Sequence, residues 1–182
     1  MKIETTPLDG VKILHLKRHP DKRGSFGELY QQRRYASQGI TAPFVQLNHS
    51  ISAQGVVRGL HTQMTKPQGK LVFVTHGAIL DVVADINPQS PTFKQHLMVE
   101  LSASNQQQLW IPPGYAHGFL SLSAEAHCYY FCTDFYDPED EAGIRWDCPQ
   151  LGIPWPIAQP ILSARDRGLP DLAGYLQRQA PR

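Results

Sequence analysis

Gly55-Val-Val-Arg-Gly-Leu-His-Thr-Gln63 sets an arginine, a histidine and a glutamine inside an apolar run framed by glycines. Read as a strand, its period of two puts Arg58 and Leu60 on one face and Gly59, His61 and Gln63 on the other. A strand that turns a histidine and an amide inward, with a guanidinium close by, reads as the wall of a polar pocket. Other segments share this strand character: Val11 to Leu16, Phe26 to Tyr30, Phe44 to Ser52, Lys70 to His76, Ile79 to Ile86, Lys94 to Leu101, Gln108 to Ile111, Gly118 to Ser123 and His127 to Thr133. Most are rich in Val, Ile, Leu, Phe or Tyr, which suit a pleated, half-buried surface.

Turn signals separate these segments: Gln68-Gly69, His76-Gly77, Asn87-Pro88, Ser90-Pro91 and Pro112-Pro113-Gly114. The 15 prolines and 14 glycines are spread through the 182 residues and are not pooled in one linker. The expectation is one domain over residues 1–182, all-β, built as a double-sheet sandwich or jelly roll. Helical spacing is rare. Gln31 to Gln38, stopped at Gly39, and the tail from Pro170 to Gln179 are the two candidates, both short and peripheral.

The net charge of +1 gives no global field for nucleic acid or a membrane surface, so a bound anion must be held by a few local cations. The start MKIETTPLDG has no apolar run after its lysine, and no stretch approaches the length of a membrane span. The cytoplasm is the expected compartment. Three cysteines, Cys128, Cys132 and Cys148, form no CxxC pair and read as buried free thiols.

Among the cations, Arg23 precedes a glycine at a strand start, Arg58 lies mid-strand, and Lys70 opens a strand after Gly69. Arg58, set between Val57 and Leu60, reads as buried and in need of an anion: an internal carboxylate such as Glu28, or a ligand phosphate. Of eight histidines, His61 and His117 have suggestive contexts. His117 sits in the turn-rich entry Ile111-Pro-Pro-Gly-Tyr-Ala-His-Gly-Phe119. No second histidine follows His61 at ligand spacing, so a metal centre is disfavoured. His61 suits a general base, best with a carboxylate to hold one tautomer, and Asp166 is the C-terminal candidate. Tyr130 reads either as a core tyrosine or as a proton donor from the opposite wall.

Taken in order, the segments resemble the dTDP-4-dehydrorhamnose 3,5-epimerases, sugar-nucleotide epimerases of the cupin superfamily. The resemblance rests on Arg23-Gly24 with Phe26 and Glu28; Phe44-Val45-Gln46 with Asn48 and Ser50; Arg58-Gly-Leu-His61 with Gln63; and Gln68-Gly-Lys70. It continues through Asp81-Val-Val-Ala-Asp85, Ser90-Pro-Thr-Phe93, Leu101-Ser with Asn105, Trp110-Ile-Pro, Ala116-His-Gly-Phe119 and Tyr130. Tyr136 with Pro138 and Glu141, Gly143-Ile with Trp146, Ile153 with Trp155-Pro156, and Leu162-Ser-Ala with Asp166 complete it.

The resemblance implies a cupin-type jelly roll without metal or cofactor, usually a homodimer, acting on a small nucleotide sugar. It implies His61 as base, Asp166 as its partner, Tyr130 as proton donor on the other face, and Lys70 near the keto oxygen. Arg23, Phe26, Glu28, Gln46, Asn48, Arg58, Gln63, His117, Tyr136, Glu141 and Arg165 fall to substrate binding. The implied reaction inverts carbons 3 and 5 of a dTDP-4-keto-6-deoxy sugar. A relative that inverts one carbon, or takes another 4-keto sugar, is the alternative. Thr62 stands where the family usually has an aromatic residue, Leu47 where it has an acid, Phe131 and Arg165 where lysines are common, and Ser25 and Gly27 where bulkier residues flank Phe26. None of these removes a catalytic group. A non-catalytic binding domain and a metal-dependent oxygenase are the competing classes.

Overall fold

The protein is described over residues 1–179, from a computed structural model. In chain order the strands are β1 (Lys2–Thr5), β2 (Lys12–His15), β3 (His19–Asp21), β4 (Gly24–Phe26), β5 (Gln46–Ala53), β6 (Val57–Gln63) and β7 (Lys70–His76). They continue with β8 (Ala78–Asp85), β9 (His96–Ser102), β10 (Gln107–Ile111), β11 (Tyr115–Ser121), β12 (Glu125–Cys132) and β13 (Glu141–Gly143). The helices are α1 (Gln32–Ala36), α2 (Ala164–Arg167) and α3 (Leu172–Gln179). A six-stranded sheet runs β1-β2-β10-β7-β12-β5, and a five-stranded sheet runs β13-β6-β11-β8-β9. All ladders within both sheets are antiparallel, and the sheets face each other as a jelly roll.

Alternation along the strands sorts the side chains. From β7 the inward set includes Val72 and Val74, and from β12 it includes Ala126 and Cys128. These meet Ile79, Val83, Val99, Leu101 and Phe119 of the other sheet and fill part of the gap with apolar volume. The remainder of the gap holds Lys70, Tyr130, His61 and His117. Outside the five-stranded sheet, α3 lays Leu172 and Tyr175 onto Leu60, Ala142 and Ile144. Outside the six-stranded sheet, Leu14, Tyr35, Ile40, Leu71 and Trp110 form a third cluster.

The apolar strand signals mark the framework well, but several details differ. Phe26 to Tyr30 is not a strand: β4 ends at Phe26, and Tyr30 packs its ring against Tyr35, Phe44 and Phe131 instead of entering a ladder. Mostly polar β1, β3 and β13 lack the apolar signature and pair through backbone at sheet edges or in a small hairpin. The turn after Ile111 ends at Gly114, so His117 lies in mid-strand and not in a strand entry.

The face assignment along β6 also changes. His117 of β11 faces His61, and Phe119 faces Arg58, so three steps on β6 match two on β11. One extra residue on a strand resets the alternation. Arg58 and His61, expected on opposite faces, therefore line the same cavity.

Two glycines permit this bulge. Gly59 has φ +103°, and a Cβ there would meet His117 O at 2.6 Å. A Cβ on Gly118 would meet Arg58 O at 2.5 Å. The obstacle in each case is backbone, which cannot swing aside. Gly118→Ala is expected to destabilise the fold by about 2–3 kcal/mol, read as a fall in Tm on thermal unfolding. An unchanged Tm would mean that β6 and β11 are not this close.

Candidate active site

His61 projects from β6 toward the gap between the sheets. Its Nε2 lies 2.6 Å from Asp166 Oδ1, although the two residues are 105 positions apart. The C-terminal segment is brought there by backbone: Ile161 donates to Gly55 O at 2.9 Å and accepts from Val57 N at 3.0 Å. Ser163 then caps α2, its hydroxyl accepting from Asp166 N at 3.0 Å, as Ser-Ala-Arg-Asp suits a helix start. This fixes Asp166, which is only 4% exposed, against His61.

Burial works to raise the Asp166 pKa. Hydrogen bonds from His61 and Ser163, with the Gly59 backbone N–H, outweigh it and hold the carboxyl below the usual carboxylate range. Asp166 is therefore an acceptor, and His61 Nε2 carries the proton that it accepts. That leaves the Nδ1 lone pair of His61, which has no hydrogen-bond partner among the described residues.

The opposite wall comes from the six-stranded sheet. Lys70 and Tyr130 point inward from β7 and β12, with Lys70 beside Cys132 across the ladder. Burial pushes the Tyr130 hydroxyl up to about 12, with Cys132 and Cys128 adding to the effect, so it stays a phenol at neutral pH. Burial pulls the Lys70 pKa down, while Cys132, Asp81 and Glu141 pull it up. Neither Lys70 Nζ nor the Tyr130 hydroxyl has a hydrogen bond or ion pair among the described residues. Two adjoining lobes, of about 270 and 310 Å³, share His61, Lys70, Tyr130, Tyr136 and Glu141 in their walls. An imidazole, a phenol and a lysine amine thus face one space.

The expected binding residues divide into groups. Arg58 is exposed at one lobe and not buried, and it has no carboxylate partner among the described residues; its Nε donates to Ser52 Oγ at 3.0 Å and its Nη2 to Ile51 O at 3.1 Å. Glu28, suggested as its internal partner, pairs instead with Arg34 at 2.9 Å. Gln46 and Asn48 line the smaller lobe, joined by a 2.9 Å hydrogen bond, and Gln46 Oε1 also accepts from Tyr136 N. Glu141 binds both Arg165 and the Tyr136 hydroxyl, forming one polar ledge along the cleft. Gln63 reaches the same lobe, yet its amide is spent on the backbone of Lys66, Phe135 and Asp137. It braces the loop that carries Tyr136.

Arg23, Phe26 and Glu28 stand apart from this cleft within the chain. Arg23 forms a forked pair with Asp21 on the surface, and Phe26 is 74% exposed. Phe26 and Glu28 line a separate depression beside Arg34. Residue types alone also passed over Asp81, which holds His117 from behind with both carboxylate oxygens, at 3.0 and 2.9 Å. Its signal was a lone acid inside the apolar run Ile79 to Ile86, with nothing to name its partner.

Proteins of known family resemble this chain in sequence and fold. Residues 5–174 match the family described as dTDP-4-dehydrorhamnose 3,5-epimerase. The dTDP-4-dehydrorhamnose 3,5-epimerase of Pseudomonas aeruginosa is 46% identical over 169 residues, 92% of this chain and 93% of that protein. The protein of that name from Methanothermobacter thermautotrophicus is 44% identical over 165 residues, 89% of each chain. The crystal structure of dTDP-6-deoxy-D-glucose-3,5-epimerase from Legionella pneumophila Philadelphia 1, in complex with dTDP-4-keto-L-rhamnose, is similar with a TM-score of 0.95. It is 46% identical, and the match covers 100% of this chain and 97% of that one. On the sequence match and the shared fold together, the chain belongs to the dTDP-4-dehydrorhamnose 3,5-epimerase family.

Proposed function

We propose that the protein converts dTDP-4-dehydro-6-deoxy-D-glucose to dTDP-4-dehydro-L-rhamnose, inverting carbons 3 and 5 in turn. The observation that carries this is the 2.6 Å His61–Asp166 pair set against Tyr130 and Lys70 across one cleft. Both target carbons flank the C4 ketone, so their protons are acidified by it. His61 Nδ1 takes the C–H proton, and the bond's electrons move into the ring to make an enolate with its charge on the C4 oxygen. Asp166 supports the imidazolium so formed. Lys70 faces the oxyanion, whose stabilisation is commonly the largest single contribution to such catalysis.

Tyr130 gives its proton to the same carbon from the opposite face, and the ketone re-forms. The proton on His61 and the vacancy on Tyr130 are then reset by solvent. The net change is stereochemical, and no electron acceptor is needed. Arg58, exposed at the lobe, supports a site for the diphosphate, since a guanidinium matches phosphate with two parallel hydrogen bonds.

The protein works in this reading as a single cytoplasmic domain that pairs into a homodimer. Arg23, Phe26 and Glu28 lie outside their own chain's cleft, and an uncovered Phe26 suits a contact surface. A second copy is the natural supplier of these three residues to the nucleotide.

Solvent deuterium uptake tests the proposal. Incubation in D2O with dTDP-4-dehydro-6-deoxyglucose is expected to label both C3 and C5. Labelling at neither carbon removes the epimerase reading, and labelling at one carbon replaces it by the single-inversion alternative. Tyr130→Phe sharpens the test. It is expected to lower formation of inverted product roughly 10²-fold or more while labelling continues, because only the proton donor is gone. If labelling and inversion fall equally, Tyr130 is not the donor.

A further inference from the structure

Along β5 the side chains of Gln46, Asn48, Ser50 and Ser52 point in turn toward the gap between the sheets. Register against β12 sets Asn48 beside Tyr130, Ser50 beside Cys128 and Ser52 beside Ala126. The polar neighbours of Ser50 are all engaged. Gln46 Nε2 donates to Asn48 Oδ1 at 2.9 Å, Arg58 Nε donates to Ser52 Oγ at 3.0 Å, and the Cys128 thiol turns to the Tyr129 carbonyl. Ser50 is not engaged. Its Oγ is enclosed, and among the described residues it is the only buried side-chain N or O without a hydrogen-bond partner.

Ser50 also stands in the wall of the larger lobe, with Arg58, His61 and Tyr130. A buried hydroxyl left unpaired costs free energy, and the cleft is where its partner can come from. A serine both donates and accepts, as a sugar hydroxyl does, whereas phosphate oxygens only accept and suit the guanidinium of Arg58. Its place along β5 says which hydroxyl. On one side stands Asn48, level with the proton donor Tyr130; on the other stands Ser52, which holds Arg58. In the substrate, the reacting C3 and the diphosphate-bearing C1 are separated by C2 alone. The other way round the ring, from C5 to C1, passes the ring oxygen, which carries no hydroxyl.

We propose that Ser50 is a specificity-determining contact of the cleft: its hydroxyl pairs with the C2 hydroxyl of the sugar, so the site takes 2-hydroxy nucleotide sugars and rejects 2-deoxy ones. A 2-deoxy ligand leaves Ser50 buried and unpaired, and that penalty separates the two. This rests on the epimerase reading, and the two fail separately. A wild type that leaves dTDP-4-dehydro-6-deoxyglucose unchanged removes that reading, whereas a ratio of two affinities bears on Ser50 alone.

The test is Ser50→Ala against dTDP-glucose and dTDP-2-deoxyglucose, which lack the ketone and bind without reacting. By calorimetry the wild type is expected to bind the 2-hydroxy sugar about tenfold more tightly or better, and Ser50→Ala to bring the two within about threefold. With dTDP-4-dehydro-6-deoxyglucose, kcat/KM is expected to fall about tenfold in the variant. Its Tm is expected to hold or rise, because the change removes a buried group with no partner among the described residues. Should Ser50→Ala not fold by circular dichroism, Ser50→Cys, close in size and a weak donor, carries the same comparison. A wild type without the preference, or a preference that survives Ser50→Ala, overturns the proposal. If affinity for both sugars then falls equally, Ser50 meets the diphosphate; if only Tm falls, it is a packing residue.

Discussion

Asp166→Asn is expected to lower kcat by roughly 10³- to 10⁴-fold, about 4–5.5 kcal/mol of barrier. Two losses combine. The asparagine amide can donate to His61 Nε2, which moves the imidazole proton to Nδ1 and removes the lone pair from the side facing the substrate. The charge that stabilises the imidazolium also disappears. Asp166 is only 4% exposed and is held by Ser163, so no water replaces it at the same place. Substrate affinity is set mainly by groups outside the dyad, so KM is expected to change by less than about tenfold.

His61→Ala is expected to be at least as damaging. The double variant should be little worse than His61→Ala alone, since the two residues act as a unit. Single-turnover kinetics with product analysis by NMR gives these numbers. A loss under tenfold for Asp166→Asn would mean that the 2.6 Å pair is structural and that the base lies elsewhere.

What the sequence revealed, and what it hid, follows from the kind of signal each residue carries. Framework strands such as Lys70–His76 announce themselves because apolar residues inward and outward both leave a pattern. The β6 bulge does not, since it depends on Gly59 and Gly118 lying close together, and glycine has no side chain to leave a period. The reading of Arg58 as buried failed for that reason: the bulge turns it into the open lobe beside His61. Asp166 was recoverable from the residues only as a candidate carboxylate. Its approach to His61 is set by backbone pairing between Val56 and Ile161, which no local pattern records. Asp81 stood in a matching segment but was given no role, because an acid in an apolar strand is explained only by its partner, and His117 lies 36 positions away. Arg23, Phe26 and Glu28 show the other side of this. Their motif is legible in the chain, yet one chain alone does not bring them to the cleft.

Lys70→Met is expected to lower kcat by roughly 10²- to 10³-fold, the usual consequence of removing one preorganised donor from a developing oxyanion. Methionine keeps much of the length and apolar stem of lysine, so the β7–β12 wall is expected to stay in place. Lys70 is well suited to such a role because its Nζ has no hydrogen bond or ion pair among the described residues, and nothing there must be broken before it meets the substrate. Its charge is also enclosed, where an interaction with an enolate oxygen is worth more than in water. The ground-state ketone is neutral and the enolate is anionic, so the loss should appear in kcat and kcat/KM far more than in KM. Deuterium uptake at both carbons should slow by the same factor as inversion, because enolate formation precedes either outcome. That pattern separates Lys70 from Tyr130, whose removal spares labelling and slows inversion alone. If Lys70→Met instead raised KM with kcat preserved, the ammonium would be a binding group for the ground state, and the enolate charge would have to be met by another donor in the cleft.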